Sequence, residues 1–324
     1  MTLPDAFSQA ARALREADSV LIGAHVDPDG DAVGSALGLM FVLESAGIDS
    51  APVLPTNDPL TSTYAFLPGA DRFILAQDAA APDVFVALDS PDPRRLVLAE
   101  PLARAARTLI MIDHHPDATP GDAIAVLDPE AAATGCLVWE LARHLGVEPD
   151  SRTATCLYAA LLTDTGRFSY SNTSAKTFRV AAEMVAAGAV PNDIYSAIYE
   201  NRSAGAQALL SRALGRITFA NGGRVAYSWV RDADFVETGA RPAEGENLID
   251  HVRALGGVEA VFLVKVNGDG KSRVSLRAKD SADVGSAARE LGGGGHRAAA
   301  GVTLPGGLDD ALAAVLPLLP GGRD

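Results

Sequence analysis

Cysteine is almost missing from this 324-residue chain. Cys136 and Cys156 are the two present, too few for a disulfide framework, and a reducing cytoplasm is the expected compartment. Long apolar runs are missing too. The uncharged stretch at residues 311–322 is short and broken by Pro317 and Pro320, whereas a membrane span needs about 20 apolar residues. No basic segment followed by an apolar one comes after Met1, so no secretory leader is expected. No repeat of 20–50 residues and no low-complexity tract occurs, which removes repeat architectures. Positive charge is scarce as well. There are 27 Lys and Arg against 41 Asp and Glu, a net charge of −14. Such a chain does not hold long duplex DNA by neutralising phosphates. With 48% apolar residues it can nonetheless bury a core, so disorder is excluded as the overall class. The length predicts about two domains.

The charge is uneven. Residues 1–190 carry 12 basic and 25 acidic side chains, and residues 191–324 carry 15 and 16. The acidic half suits cations. The other half, with seven basic against four acidic residues over 265–297, suits an anionic ligand. Short apolar runs read as buried strands at 19–24, 84–88 and 108–112. Longer patterns read as helices at 31–46, 133–145 and 152–162. Strands separated by helices predict an α/β fold with a doubly wound, mostly parallel sheet, and ligands at the carboxyl ends of its strands. Gly188, Pro191 and Asn192 interrupt a helical pattern. The expected division is a first domain over 1–188, a linker over 189–205 and a second, smaller α/β domain over 206–324, with an active-site cleft between the two. In the second, strands are expected at 224–230, 258–266 and 272–278, and helices at 246–255 and 283–291.

Titratable residues gather where these elements end. His25, Asp27, Asp29 and Asp31 crowd the loop after the first strand. Carboxylates this close repel unless something positive lies among them. A plain Asp-rich turn, with Asp31 as helix N-cap, accounts for the acids but not for His25. Asp89 ends the strand at 84–88 and, taken alone, reads equally as a capping residue. Asp113, His114 and His115 end the strand at 108–112. Neighbours on an extended segment point to opposite faces, so the two histidines serve different tasks. Asp164 closes an apolar helix. Imidazole and carboxylate ligands without thiolates suit Mn²⁺, ahead of Mg²⁺, Co²⁺ or Zn²⁺. Six ligands are too many for one catalytic ion. Two ions about 3.5–4 Å apart, bridged by a carboxylate, fit better.

These motifs, HVDPDGD (25–31), ALDS (87–90), DHH (113–115) and LLTDTGRF (161–168), resemble in order those of the DHH phosphoesterase superfamily. GGGGHRAAAG (292–301) resembles the signature of the DHH-associated domain. The resemblance runs from about residue 15 to 305 and is closest to the branch of bifunctional oligoribonucleases and pAp phosphatases. It implies one metal on His25 and Asp29, a second on Asp31, His114 and Asp164, and Asp89 bridging the two. It implies that Asp113 orients a histidine and that His115 faces the scissile phosphate. Gly293, Gly294 and Gly295 let backbone N–H groups approach an oxyanion, His296 adds a donor, and the planar fork of Arg277 suits a phosphate. Asn172 is a candidate contact to a base or sugar. His144 and His251 read as structural or exposed, and both cysteines as core.

The activity implied is metal-dependent hydrolysis of short oligonucleotides and of dinucleotides such as pApA to mononucleotides. Release of phosphate from pAp is implied as well, with the nucleophile a hydroxide generated at two divalent ions. A RecJ-type single-strand exonuclease and a cyclic-dinucleotide phosphodiesterase are the alternatives. A manganese pyrophosphatase would carry a basic Ser-Arg-Lys-Lys-type segment that is missing here. A non-catalytic nucleotide sensor would be expected to lack a ligand, and none is lacking. Members of the superfamily are often homodimers, and no membrane association is expected.

Overall fold

The computed structural model describes residues 2–60, 62–245, 248–279 and 282–322. It divides into two units, residues 1–200 and 201–324. The first holds strands β1 (Val20–Ala24), β2 (Ser50–Leu54), β3 (Ile74–Leu75), β4 (Val84–Leu88), β5 (Thr108–Asp113) and β6 (Ile124–Leu127). Its helices are α1 (Leu3–Arg15), α2 (Gly30–Ser45), α3 (Glu100–Ala105), α4 (Thr134–His144), α5 (Ser151–Asp164), α6 (Ala175–Ala186) and α7 (Pro191–Tyr199). The strands form one sheet in the order β3-β2-β1-β4-β5-β6, with every pairing parallel.

The central strands are apolar without alternation because both faces of the sheet are covered. Val20, Ile22, Val84, Val86 and Ile110 share a core with residues of α1, α2, α4 and α5. Leu21, Phe85 and Ala87 face the other way and pack with Leu96, Ala99 and Ala103. The strand order reverses between β1 and β4, and ligands in such sheets bind outside the carboxyl ends at that point.

Helices α2 and α5 approach closely along a glycine row. A Cβ on Gly34 would lie 2.4 Å from the Cys156 carbonyl oxygen, and one on Gly38 would lie 2.3 Å from the Leu157 side chain. One turn earlier, a Cβ on Gly30 would lie 2.4 Å from Thr163 Oγ1. This packing sets the first turn of α2 beside the last turn of α5, and so the 25–31 loop beside Asp164.

The second unit holds β7 (Thr218–Ala220), β8 (Val225–Arg231), β9 (Ala260–Val266), β10 (Lys271–Ala278), β11 (Gly294–Gly295) and β12 (Ala299–Pro305). Helices α8 (Ala204–Gly215), α9 (Asp232–Thr238), α10 (Leu248–Arg253), α11 (Val284–Glu290) and α12 (Leu308–Val315) accompany them. The sheet order is β11-β12-β10-β9-β8-β7. Pairing is parallel between β8 and β9 and antiparallel elsewhere. Phe262, Val274, Leu276 and Val302 pack with α11 and α12 on one face. Ala226, Val261 and Leu263 pack with α8 and α10 on the other.

The segment 189–205 differs from a linker. It contains α7, whose Ile194 is buried in the first unit's core, and the chain leaves that unit only at Glu200. Pro191 sits in the first turn of α7, where its missing N–H costs nothing and its fixed φ starts a helix rather than breaking one. The helix expected at 246–255 is observed as α10, and residues 246 and 247 lie outside the described residues. Among the described residues, no helix is long and apolar enough to cross a membrane.

Candidate metal centre

Three strand ends and one helix end supply the site. His25 follows β1 directly, and its Nδ1 lies 2.8 Å from the Val26 carbonyl oxygen. His114 follows β5, with Nδ1 3.1 Å from the Ala131 carbonyl oxygen. Each carbonyl holds a proton on Nδ1 and leaves Nε2 as the candidate ligand atom. Asp29, not Asp31, is the N-cap of α2: its Oδ1 accepts from Asp31 N at 3.0 Å and Ala32 N at 3.1 Å. The cap position stays at the surface, and the Asp29 side chain is 57% exposed. Asp31 lies inside the first turn on the core side and is 1% exposed. Asp89 follows β4 with a φ of +49°, and its N–H donates to the Ile112 carbonyl at 3.1 Å.

The candidate ligand atoms include two triplets, His25 with Asp29 and Asp89, and Asp31 with His114 and Asp164, and Asp89 also lies close to Asp113 and His115. His25 Nε2 lies 3.4 Å from Asp89 Oδ2 and 3.9 Å from Asp29 Oδ1. His114 Nε2 lies 3.8 Å from Asp31 Oδ2, 3.7 Å from Asp164 Oδ2 and 3.6 Å from Asp89 Oδ1. Most of these separations are too long for hydrogen bonds. They are the gaps expected between two ligands of one ion whose bonds run about 2.0–2.2 Å. Asp89 turns Oδ2 to His25 and Oδ1 to His114, so it faces both triplets. His115 is held differently. Its Nδ1 lies 2.6 Å from Asp113 Oδ1, which also accepts from His115 N at 2.7 Å. Asp113 Oδ2 is buried without a hydrogen-bond partner among the described residues.

Among the described residues, every ion-pair partner of these five carboxylates is a histidine. Burial, with the Asp89 charge behind it, pushes the Asp31 carboxyl up to about 7. Burial and the charges of Asp31, Asp29 and Asp89 hold Asp164 well above the usual carboxylate range. Burial opposes ionisation of Asp89 too, but hydrogen bonding and charge from His25, with His115 and His114, hold it low. Burial would depress the His25 imidazolium, yet Asp89 and Asp29 outweigh it and raise it to about 9. Protons thus supply positive charge that no Lys or Arg ion pair provides. A divalent cation would displace them, and a donor set of imidazoles and carboxylates fits one.

Other residues hold this set in place. Thr134 and Gly135, opening α4, donate their N–H groups to Asp31, and the Thr134 hydroxyl donates to Asp89. Sequence reading missed Thr134. Its one signal is a threonine opening a helix after three alanines. Asn172 is turned inward. Its Nδ2 donates to the Ala132 and Asp164 carbonyls at 3.0 and 3.2 Å and lies 3.3 Å from Asp164 Oδ2, so it grips a cluster residue.

In the second unit, the glycine loop has a packing reason. Gly292 N and Gly293 N donate to Arg289 O and Ala288 O, closing the end of α11, and His296 N donates to Ala299 O. The N–H of Gly293 is therefore engaged within the fold, unlike the open donor expected. A Cβ on Gly293 would lie 2.3 Å from the Gly301 carbonyl oxygen, so β12 excludes any side chain there. Gly294 and Gly295 are exposed. Arg277, on β10, donates from Nη1 to Leu276 O at 3.1 Å. Its Nε lies 3.7 Å from Asp250 Oδ1, and both atoms are buried without a hydrogen-bond partner among the described residues.

Comparison with known proteins agrees with this division. Residues 19–161 match the model of the DHH family, N-terminal domain, and residues 222–319 that of the DHHA1 domain. The chain is 34% identical to the bifunctional oligoribonuclease and PAP phosphatase NrnA of Thermus thermophilus, covering 92% of this chain and 88% of that one. The Bacillus subtilis protein of the same name is 25% identical, over 89% of this chain and 90% of that one. The cyclic-di-AMP phosphodiesterase GdpP of Geobacillus thermodenitrificans is 28% identical over 89% of this chain, which spans 45% of that longer protein. Among solved structures, an exopolyphosphatase-related protein from Bacteroides fragilis shares the fold, with a TM-score of 0.88 at 24% identity, over 96% of this chain and 94% of that one.

Proposed function

The chain belongs to the DHH family, and from that membership we propose that it is a metal-dependent phosphodiesterase of very short nucleic-acid fragments. It cleaves short oligonucleotides and dinucleotides such as pApA to mononucleotides, and it converts pAp to AMP and phosphate. The observation that carries this reading is the pair of histidine–carboxylate triplets that Asp89 faces from one side chain, in a chain whose Thermus relative bears both activities in its name.

Two divalent ions, Mn²⁺ in this proposal, belong to the site. His25, Asp29 and Asp89 would hold one, and Asp31, His114, Asp164 and Asp89 would hold the other. When bound, such ions acidify water and offset charge on the phosphate. The chain's own residues do the rest. The Val26 and Ala131 carbonyls keep the Nε2 atoms of His25 and His114 directed inward. Asp113 accepts from His115 Nδ1 and, against burial, raises the imidazolium. His115 Nε2 then gives a proton to the leaving oxygen. In the second unit, Arg277, Gly294, Gly295 and His296 take the substrate's terminal phosphate or sugar. Asn172 acts through Asp164, and Gly293 acts through the shape of its loop. The enzyme works in the cytoplasm, as a monomer or a homodimer, and its net charge of −14 disfavours long duplexes.

A cyclic dinucleotide is the second substrate class, supported by relatives named for cyclic-di-AMP. The test is hydrolysis, with Mn²⁺ and with chelator, of a series from pAp and pApA to a 24-mer, beside cyclic-di-AMP and pyrophosphate. Mn²⁺-dependent AMP release from the shortest members, fading with length, is the expected result. Best activity on the 24-mer would replace this reading with an open-channel exonuclease. Cleavage of pyrophosphate alone would move the enzyme to another reaction class.

A further inference from the structure

Helix α4 begins without a capping side chain of its own, because its N-cap is Ala133. A helix leaves its first four N–H groups in want of acceptors. Two of them reach α2. Thr134 N donates to Asp31 Oδ2 at 2.7 Å, and Gly135 N donates to Asp31 Oδ1 at 3.0 Å. Ser35 Oγ adds a bond to Oδ1 at 2.9 Å. Two donors therefore engage Oδ1, while Oδ2 has one. Oδ2 is the oxygen that lies 3.8 Å from His114 Nε2. The cap thus selects which oxygen of Asp31 is left for an ion.

The Thr134 hydroxyl turns to the other carboxylate and donates to Asp89 Oδ1 at 3.1 Å. One fully buried residue so binds a carboxylate from each triplet. It has little room to move. A Cβ on its neighbour Gly135 would lie 2.8 Å from the Ala160 side chain of α5, so α4 is seated against the helix that carries Asp164.

We propose that Thr134 is a positioning residue that fixes Asp89 relative to Asp31 and thereby couples the uptake of the two divalent ions. The inference rests on the two-ion reading of the site given above. The hydroxyl holds the Asp89 carboxylate in the rotation that turns Oδ2 to His25. Without it that carboxylate keeps only its contacts with the histidines, and the second ion meets a ligand less firmly held.

The test uses the full chain stripped by chelator and titrated with Mn²⁺ by calorimetry, with electron paramagnetic resonance to read magnetic coupling between two ions. Thr134→Val removes the hydroxyl at nearly constant volume and keeps the backbone bond to Asp31. Thr134→Ser keeps the hydroxyl. Wild type and Thr134→Ser are expected to take up two coupled ions. In Thr134→Val the first ion binds as before and the second about 10–100-fold more weakly, the range for losing a partner of a ligand. Hydrolysis of pApA by that variant recovers at high Mn²⁺. Should Thr134→Val not fold, Thr134→Cys offers a weaker donor and an intermediate loss. Wild-type constants in either variant would overturn the inference. Equal weakening of Thr134→Val and Thr134→Ser would overturn it too, by assigning the effect to packing. A wild-type chain that took up no divalent ion would remove the two-ion reading itself, an outcome distinct from both.

Discussion

At Asp89 the backbone is held at a φ of +49°, a conformation that costs a non-glycine residue about 1–3 kcal/mol. Its carboxylate oxygens face different histidines, and Thr134 binds one of them. An ordinary capping aspartate needs none of this. Asp89→Asn keeps the shape and removes the charge. It is expected to lower hydrolysis of every substrate by about 10²–10³-fold, the scale for losing a preorganised electrostatic group. Circular dichroism of the ion-free variant should match wild type. Turnover near wild type would break the assignment of Asp89 to both ions. Protons compete with those ions. His25, raised to about 9, and Asp31, raised to about 7, both hold protons at pH 6 in the ion-free protein and must release them for an ion. Mn²⁺ affinity should therefore rise from pH 6 to 9. Calorimetry in two buffers of different ionisation enthalpy should show proton release that shrinks as pH approaches 9. Affinity independent of pH would contradict the arrangement.

Helix packing sets the distance between Asp31 and Asp164. The glycine row on α2 admits α5 closely enough that even a methyl group at position 34 meets the Cys156 carbonyl oxygen. Gly34→Ala gains about 1 kcal/mol of helix propensity but overpacks a contact whose strain runs about 1–3 kcal/mol. Backbone atoms on the far side cannot swing away, so strain should win. Urea unfolding is expected to show a net loss of up to about 2 kcal/mol, and Mn²⁺ uptake should weaken as the helices part. Gly215→Ala, where nothing lies within 4 Å, is the control and should leave ion binding unchanged. Unchanged stability and ion uptake in Gly34→Ala would mean that α2 and α5 have room to spare.

Across the whole molecule, the buried carboxyl groups of the first unit tie stability to pH and to Mn²⁺. Burial, with the Asp89 charge behind it, pushes the Asp31 carboxyl in the fold up to about 7, above about 3.9 in the unfolded chain. The folded state therefore binds more protons than the unfolded one between pH 4 and 7, and this contribution to stability falls as pH rises through that range. Mn²⁺ at 100 times its dissociation constant should add about 2.7 kcal/mol at pH 7.5. For a unit of this size that is a rise in Tm of about 5–10 °C, read by scanning calorimetry of the full chain. The rise should be smaller at pH 5, where Asp31 keeps its proton against the ion. A Tm indifferent to Mn²⁺ at pH 7.5 would mean that the folded cluster does not bind it.

Local chemistry made much of this legible in the residues alone. The apolar runs of β1, β4 and β5 announce strands buried on two faces, and the acids and histidines directly after them announce a site at the strand ends. The helices α2, α4 and α5 also show in their periodicity. The role of Asp29 as cap, the inward turn of Asn172 and the engagement of Gly293 by α11 do not show, since each depends on which of several nearby backbone groups is closest in space. The segment around Pro191 reads as a break because proline ends one helix and starts another with the same local signal. Thr134 lies 103 positions from Asp31 and 45 from Asp89. No periodicity spans those separations, and only the parallel strand order together with the glycine-lined contact of α2 and α5 brings the three together. Residue type and local pattern were enough to gather acids and histidines at the strand ends, whereas their distances, their orientation and the groups that hold them were decided by long-range packing.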